Sequence, residues 1–206
     1  MAGVQGLRIP QAWTIWHTGK VPAAVMVVTF LATLFVPLQY AVLLGMALSI
    51  LLYVFQQSNK IVIKQWVLPA AGFPVEQPAP VQLPSRRLTL LHIYGSLFFA
   101  AARSLEEMLP EVEGSTRAVV AISLRGQNEI GSTFITVLQR YARKLHAQKG
   151  KLMLVGVDEM VRNQLVKTGT LALIGAENVF VATPQLGEAV NRAVAAANEW
   201  LAQPAR

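Results

Sequence analysis

Ala118-Val-Val-Ala-Ile-Ser-Leu124 runs into Arg125-Gly-Gln-Asn-Glu-Ile-Gly131 and then into Ser132-Thr-Phe-Ile-Thr-Val-Leu-Gln-Arg-Tyr-Ala-Arg-Lys-Leu-His146. The first run is compact and apolar and reads as a strand. The second is a loop holding Gly126 and Gly131, and the third reads as a helix. Upstream, Leu88–Tyr94 reads as a strand, followed by Gly95-Ser96 and a helical run Phe98–Leu109 that stops at Pro110. Downstream come a third strand at Lys151–Val155, a third helix at Asp158–Thr168 and a short fourth strand at Val179–Val181. Thr183-Pro184 then opens a last helix that ends near Ala202. Strands alternating with helices imply an α/β layer structure on a mainly parallel sheet, with right-handed crossovers. Capping chemistry points the same way. Ser132 and Thr183 stand at helix starts, Pro184 at a first helical position, and Gly150 and Gly169 after helix ends. About 120 residues are enough for this part to bury its own core.

The composition changes upstream. Pro69, Gly72, Pro74, Pro78, Pro80 and Pro84 mark a linker, assigned to residues 67–86. Before it, Val21–Phe55 contains no Lys, Arg, Asp or Glu, and it is far longer than the roughly 20 residues of one bilayer crossing. Pro37 divides it into Val21–Val36 and Leu38–Phe55, because proline lacks an amide donor and disfavours helix in the residue before it. Each half would rise only about 24 Å, so we expect a hairpin of two short transmembrane helices, helped by bilayer thinning or neighbouring protein. Arg8 and Lys20 precede the hairpin and Lys60 and Lys64 follow it, which places both ends on the cytoplasmic side. Small residues, among them Ala23, Thr29, Ala32, Ala41, Gly45 and Ser49, permit close helix contact. Arg8–Lys20, with Trp13, Trp16 and His17, suits a short interfacial helix. The expected organisation is thus a membrane part at 1–66, the linker, and an α/β domain at 87–203.

Charge excludes one class of partner. The formal net charge is +7, but it is spread along the chain. Arg8, Lys20, Lys60 and Lys64 against Glu76 leave the first 80 residues at +3 and the remainder at +4, with no dense basic run. Nucleic acid is therefore not an expected partner. The absence of cysteine rules out disulfides and thiolate-held metal.

Val119-Val-Ala-Ile-Ser-Leu124, then Gly126, then Ile130-Gly-Ser-Thr133 opening a helix, resembles the STAS domain. That module is shared by anti-sigma-factor antagonists and the tails of sulfate-permease-type transporters. Lys149-Gly-Lys-Leu-Met-Leu-Val-Gly156 is similar to its third strand, and Leu165-Val-Lys-Thr-Gly169 to the end of its next helix. Val21-Pro-Ala-Ala-Val-Met-Val-Val-Thr-Phe-Leu-Ala-Thr-Leu34 is similar to the last membrane helices of the SulP anion transporters, after which a STAS domain follows on the cytoplasmic side. The resemblance implies a STAS-like α/β domain behind a membrane hairpin, as the C-terminal part of a SulP-type inorganic anion transporter. It implies a cell-membrane, multi-pass location with the last domain cytoplasmic, a homodimer, and the rest of a transporter core as partner, with lipid around the hairpin. Such transporters need some fourteen membrane helices, so this chain alone is not expected to transport. The alternative is a membrane-tethered STAS regulator, related to the antagonists and meeting a cytoplasmic regulatory protein. In the antagonists an Asp precedes a phosphorylated Ser. Here Gly131 holds the Asp position, and Ser132 keeps the hydroxyl, with Thr133 beside it. A helix N-terminus accommodates phosphate through free amides and dipole.

Little points to catalysis, and we expect no enzyme activity, cofactor or metal. Glu106-Glu107 and Asp158-Glu159 are sequence neighbours, which do not face one another on a helix. His92 sits in a strand on one face with Leu90 and Tyr94, and His146 lies near a helix C-terminus, where the dipole favours it. Arg125 is a candidate contact for an anion or nucleotide ahead of Ser132. Arg140, Arg143, Lys144, Lys149 and Lys151 form a mild basic cluster that suits anionic lipid or a transporter's intracellular loops.

Overall fold

The computed structural model describes residues 20–58, 61–69, 73–95, 97 and 102–204. It falls into two compact units, Met1–Gln57 and Ser58–Arg206. The interfacial helix expected upstream of Lys20 lies outside the described residues.

In the first unit, helix α1 (Lys20–Phe35) is followed by α2 (Leu38–Ser58). The break falls at Val36-Pro37. The Val36 amide still donates to the Ala32 carbonyl at 3.0 Å, whereas Pro37 has no amide to give, and its carbonyl takes the Tyr40 amide at 2.9 Å to begin the next helix. Thr29 and Gly45, equidistant from Pro37 in sequence, meet closely: a Cβ on Gly45 would lie 2.8 Å from Thr29 Oγ1. The chain therefore turns back on itself as a hairpin closed by small residues.

The helices fall short of two full membrane crossings. Among the described residues no helix is long and apolar enough to cross a membrane. α1 has 16 residues, a rise of about 24 Å against a hydrocarbon core of about 30 Å. α2 has 21 residues, but Gln39 near its start and Gln56-Gln57-Ser58 at its end shorten the apolar stretch. Even so, Phe30, Leu34, Phe35, Leu38, Leu43 and Leu51 are each more than half exposed.

The second unit is a six-stranded mixed sheet with the order β2-β1-β3-β4-β5-β6. Its strands are β1 (Val62–Val67), β2 (Val75–Pro78), β3 (Leu88–Tyr94), β4 (Val119–Ser123), β5 (Lys151–Val157) and β6 (Val179–Val181). β3 to β6 are parallel, as alternation with helices predicts. β1 and β2 were not anticipated. They add to the β3 edge as an antiparallel pair, with Lys64 opposite His92 and Trp66 opposite Glu76. Residues read as the end of the membrane part and as linker are thus strands. β2 tolerates Pro78 because it is an edge strand, exposed throughout.

The helices of this unit are α3 (Ala102–Met108), α4 (Ser132–Ala147), α5 (Glu159–Lys167), α6 (Thr170–Ile174) and α7 (Glu188–Ala202). The two-residue period of the strands separates two cores. On one face Leu91, Val120, Ile122, Leu152 and Leu154 pack under Leu105, Phe134, Leu138, Leu145 and Leu165. On the other, Leu90, Val119, Ala121, Met153 and Val155 meet α7, whose Ala189, Ala193 and Ala197 bring its backbone close to the sheet. Leu91, Ile122 and Leu154 are wholly buried, and each contributes about 1.5–3 kcal/mol relative to exposure.

Two helix starts differ from expectation. Ser132 is not the cap of α4; that position belongs to Gly131, and Ser132 is the first helical residue. Thr183-Pro184 does not open α7, which begins at Glu188 behind Gly187 in a left-handed conformation. The Thr183 hydroxyl instead donates to the Glu188 carboxylate at 2.7 Å.

Candidate functional site

Parallel strands bring their C-terminal ends to one pole of the sheet, where loops gather and ligands most often bind in α/β folds. Here the pole is built from the loop after β4, the start of α4, and the connection from β6 to α7. The loop turns at Gly126, whose φ of +86° suits glycine alone among common residues. It is fixed on both sides. Gln127 Nε2 donates to the Gly95 carbonyl at 2.9 Å, and the Ile130 amide donates to Gln164 Oε1 on α5 at 3.1 Å. The Ile130 side chain is buried beneath.

This anchoring presents the first turn of α4. The first helical hydrogen bond runs from the Ile135 amide to the Gly131 carbonyl at 3.1 Å, so the amides before it point outward without an intrahelical partner. Gly131 offers no side-chain cap and the first turn holds no acidic residue. The positive end of the dipole is therefore not neutralised by the helix itself. Ser132 is exposed and Thr133 half-buried at this position. Arg125 is half-buried and turned elsewhere: its Nη2 donates to the Thr183 carbonyl at 3.1 Å. Its backbone lies against Gly156, where a Cβ would come within 3.0 Å of Arg125 Cβ. The structure thus gathers Ser132 and Thr133 on one turn and ties Arg125 to the β6–α7 connection.

The basic cluster separates. Arg140 pairs with Glu106 of α3 at 2.9 Å. Lys149 and Lys151 lie at the opposite pole, around the N-terminal end of β5.

A second constellation was not found from sequence. On the sheet face where β1, β2 and β3 meet, Trp66 stacks on His92 with ring centroids 4.4 Å apart, and Tyr94 meets His92 edge-on at 4.5 Å. Trp66 Nε1 donates to Glu76 Oε1 at 3.0 Å, and the Tyr94 hydroxyl donates to the same oxygen. These two hydrogen bonds hold the Glu76 carboxyl below its ordinary range, while the bond to Glu76 raises the Tyr94 hydroxyl. Burial lowers His92, against a smaller opposing pull from Glu76. His92 Nδ1 is buried and finds no partner among the described residues. Val62-Ile-Lys-Gln-Trp-Val67 carries no alternation of apolar and polar residues that would mark a strand, and it follows the apolar hairpin with no long polar gap.

Residues 80–186 match the family model for the STAS domain. The fold is similar to the murine Solute Carrier 26 family member A9 anion transporter in its inward-facing state, with a TM-score of 0.68 at 18% identity, covering 95% of this chain and 31% of that one. A further structure of SLC26A9 gives a TM-score of 0.65 at 16% identity, covering 92% and 32%. A sulfate transporter family protein from Wolinella succinogenes is similar over 59% of this chain and 92% of its own, at 22% identity and a TM-score of 0.48. The chain spans about a third of the length of the two SLC26A9 structures. No curated protein sequence matches it.

Proposed function

The chain belongs to the STAS-domain family, and from that premise we propose that it is the C-terminal part of a SulP-type inorganic anion transporter. One observation carries the reading: the fold likeness to the murine Solute Carrier 26 family member A9 anion transporter covers 95% of the chain. The sheet unit, Ser58–Arg206, is too short to account for that share, so the likeness extends into the hairpin. On this reading the STAS domain faces the cytoplasm and binds and regulates rather than catalyses, and the chain works as a homodimer in the cell membrane. Anion movement belongs to a core formed by other membrane helices. The hairpin is embedded beside that core. Its short helices are then shielded by protein, and the outward Phe30, Leu34, Phe35, Leu38, Leu43 and Leu51 gain apolar cover.

Membrane association of the full chain, resistant to carbonate extraction, tests this. Wild type stays with the membrane, and Leu34→Arg with Leu43→Arg releases it, each buried charge costing about 2.5–3.5 kcal/mol. A wild-type chain that is monodisperse without detergent overturns the reading.

A second reading, a STAS regulator tethered to the membrane, is favoured by the exposed Ser132 on an uncapped helix start. Phosphate on Ser132, or on Thr133 beside it, would meet free amides and the positive end of α4. Phosphopeptide mapping of protein isolated from its native cell decides this. Phosphate on Ser132 or Thr133 supports the regulator, and an unmodified peptide at full occupancy removes it.

A further inference from the structure

At the pole opposite Ser132, the N-terminal ends of β4 and β5 and the C-terminal ends of α4 and α7 surround a cavity of about 680 Å³. Its lining includes Arg117, His146, Lys149, Gly150, Trp200 and Gln203, with no carboxylate among the described residues. Arg117 is only 7% exposed. Its Nη2 donates to the carbonyls of Trp200 at 3.0 Å and Gln203 at 2.9 Å, which fixes the guanidinium against the end of α7. Its Nε is buried and finds no acceptor among the described residues. The guanidinium carbon lies 4.6 Å from the centre of the Trp200 ring, and Lys151 Nζ lies 5.3 Å from the same ring. Buried guanidinium groups are ordinarily paired with a carboxylate or phosphate. This one has no carboxylate partner among the described residues, and two lysines and a histidine are close by.

Capping of α7 accounts for one nitrogen of Arg117 and leaves the rest of the charge unexplained. The turn between α4 and β5 adds a separate observation. Lys149 has φ of +55°, a left-handed position after a helix that glycine usually fills. The adjoining Gly150 is sterically required, since a Cβ there would stand 2.7 Å from the Ala118 carbonyl oxygen. Lysine thus stands where glycine would be less strained, and it lines the cavity.

We propose that this cavity binds a phosphate-bearing ligand, with Arg117 as the fixed buried anchor and Lys149 and Lys151 as outer charges. A soluble phosphate or the headgroup of an anionic lipid would present the same chemistry. The proposal stands whether or not the chain is part of a transporter.

The test uses the full-length chain in a neutral detergent, titrated separately with inorganic pyrophosphate and with short-chain phosphatidic acid. Tryptophan fluorescence and thermal unfolding report binding. Saturable binding of pyrophosphate assigns a soluble phosphate, and binding of phosphatidic acid alone assigns a lipid headgroup. In both cases Lys149→Glu, at an exposed side chain, weakens binding at least about tenfold, the scale of one charge-assisted hydrogen bond. Arg117→Lys weakens it further if the variant folds, which circular dichroism establishes, and Lys151→Glu, at a half-buried side chain, supplies an independent variant. No saturable binding of either probe up to about 10 mM, well above millimolar affinity, overturns the proposal. So does equal binding by wild type and both lysine variants.

Discussion

The hairpin and the sheet domain use similar side chains in opposite ways. Ile122 and Leu154 lie in strands and are wholly buried, whereas Leu38 and Phe35 in the hairpin are 68% and 86% exposed. The domain closes two cores of its own and draws its stability from them. The hairpin makes contact through small residues such as Gly45 and Thr29 and directs its large apolar groups outward. Its stability must come from whatever surrounds it. Core truncation gives the sharpest contrast. Ile122→Ala or Leu154→Ala should destabilise the domain by about 2–5 kcal/mol, read as a shift in the denaturant midpoint of the sheet unit. Leu34→Ala and Leu51→Ala should leave that midpoint within about 0.5 kcal/mol. A hairpin truncation that destabilises the sheet unit as strongly as Ile122→Ala would abolish the distinction.

Glycines extend the comparison. A Cβ at Gly150 would meet backbone oxygens, Ala118 O at 2.7 Å and Leu145 O at 3.1 Å. Backbone that belongs to the sheet and to α4 cannot give way locally. Gly150→Ala should therefore cost about 1–3 kcal/mol, measured by thermal unfolding. At Gly45 the nearest atom is the Thr29 hydroxyl at 2.8 Å, on a side chain that can change rotamer. Gly45→Ala should leave domain stability unchanged and alter only hairpin closure, followed by cross-linking of cysteines introduced at Thr33 and Ala41.

How much of this was legible in sequence depends on how strongly each segment declares its period. β3, β4 and β5 are apolar runs with β-branched residues between glycine-bearing loops, and they were found where they lie. β1 and β2 were hidden for two physical reasons. Val62–Val67 begins soon after the longest apolar segment of the chain, and Val75–Pro78 carries a proline that only an edge strand accepts. Missing them hid the contact of Trp66 and Glu76 with His92 and Tyr94, since pairing across strands is not encoded locally. Ser132 was placed at the start of α4, but a serine beside a glycine does not reveal which of the two is the cap. The buried Arg117 gave no sequence signal, because its environment comes from the end of α7, far along the chain.

The aromatic group sharpens a third contrast, between the covered and open parts of one sheet face. His92 is held below its ordinary value of 6.5 chiefly by burial. The unfolded chain then binds more protons as pH falls below about 6.5, so stability should decline with acidification between that pH and the lowered folded value. Because the side chain is only half-buried, the loss should stay below about 1 kcal/mol. His92→Gln should flatten this part of a stability–pH curve recorded by chemical denaturation. Glu76 adds a separate decline below 4.5, where its favourable hydrogen bonds to Trp66 and Tyr94 are lost on protonation. Glu76→Gln should remove that decline and leave the one near 6.5 in place.

The smallest effect belongs to the pole where α4 begins, and it separates structure from regulation at Ser132. Had Ser132 been the cap, its removal would cost about 1 kcal/mol. With Gly131 in that position and no side-chain bond to the free amides, Ser132→Ala should change stability by less than about 0.5 kcal/mol. Ser132→Asp should instead stabilise by about 0.3–1 kcal/mol at low ionic strength, as a negative charge meets the positive end of the helix, and the gain should fade as salt is added. Thermal unfolding of the three proteins at two salt concentrations reads both effects. A neutral alanine variant with a salt-sensitive gain for aspartate would mean that the first turn of α4 is built to accept negative charge and does not depend on its serine for folding. A costly alanine variant would return Ser132 to a capping role and take away the physical basis for a phosphate switch there.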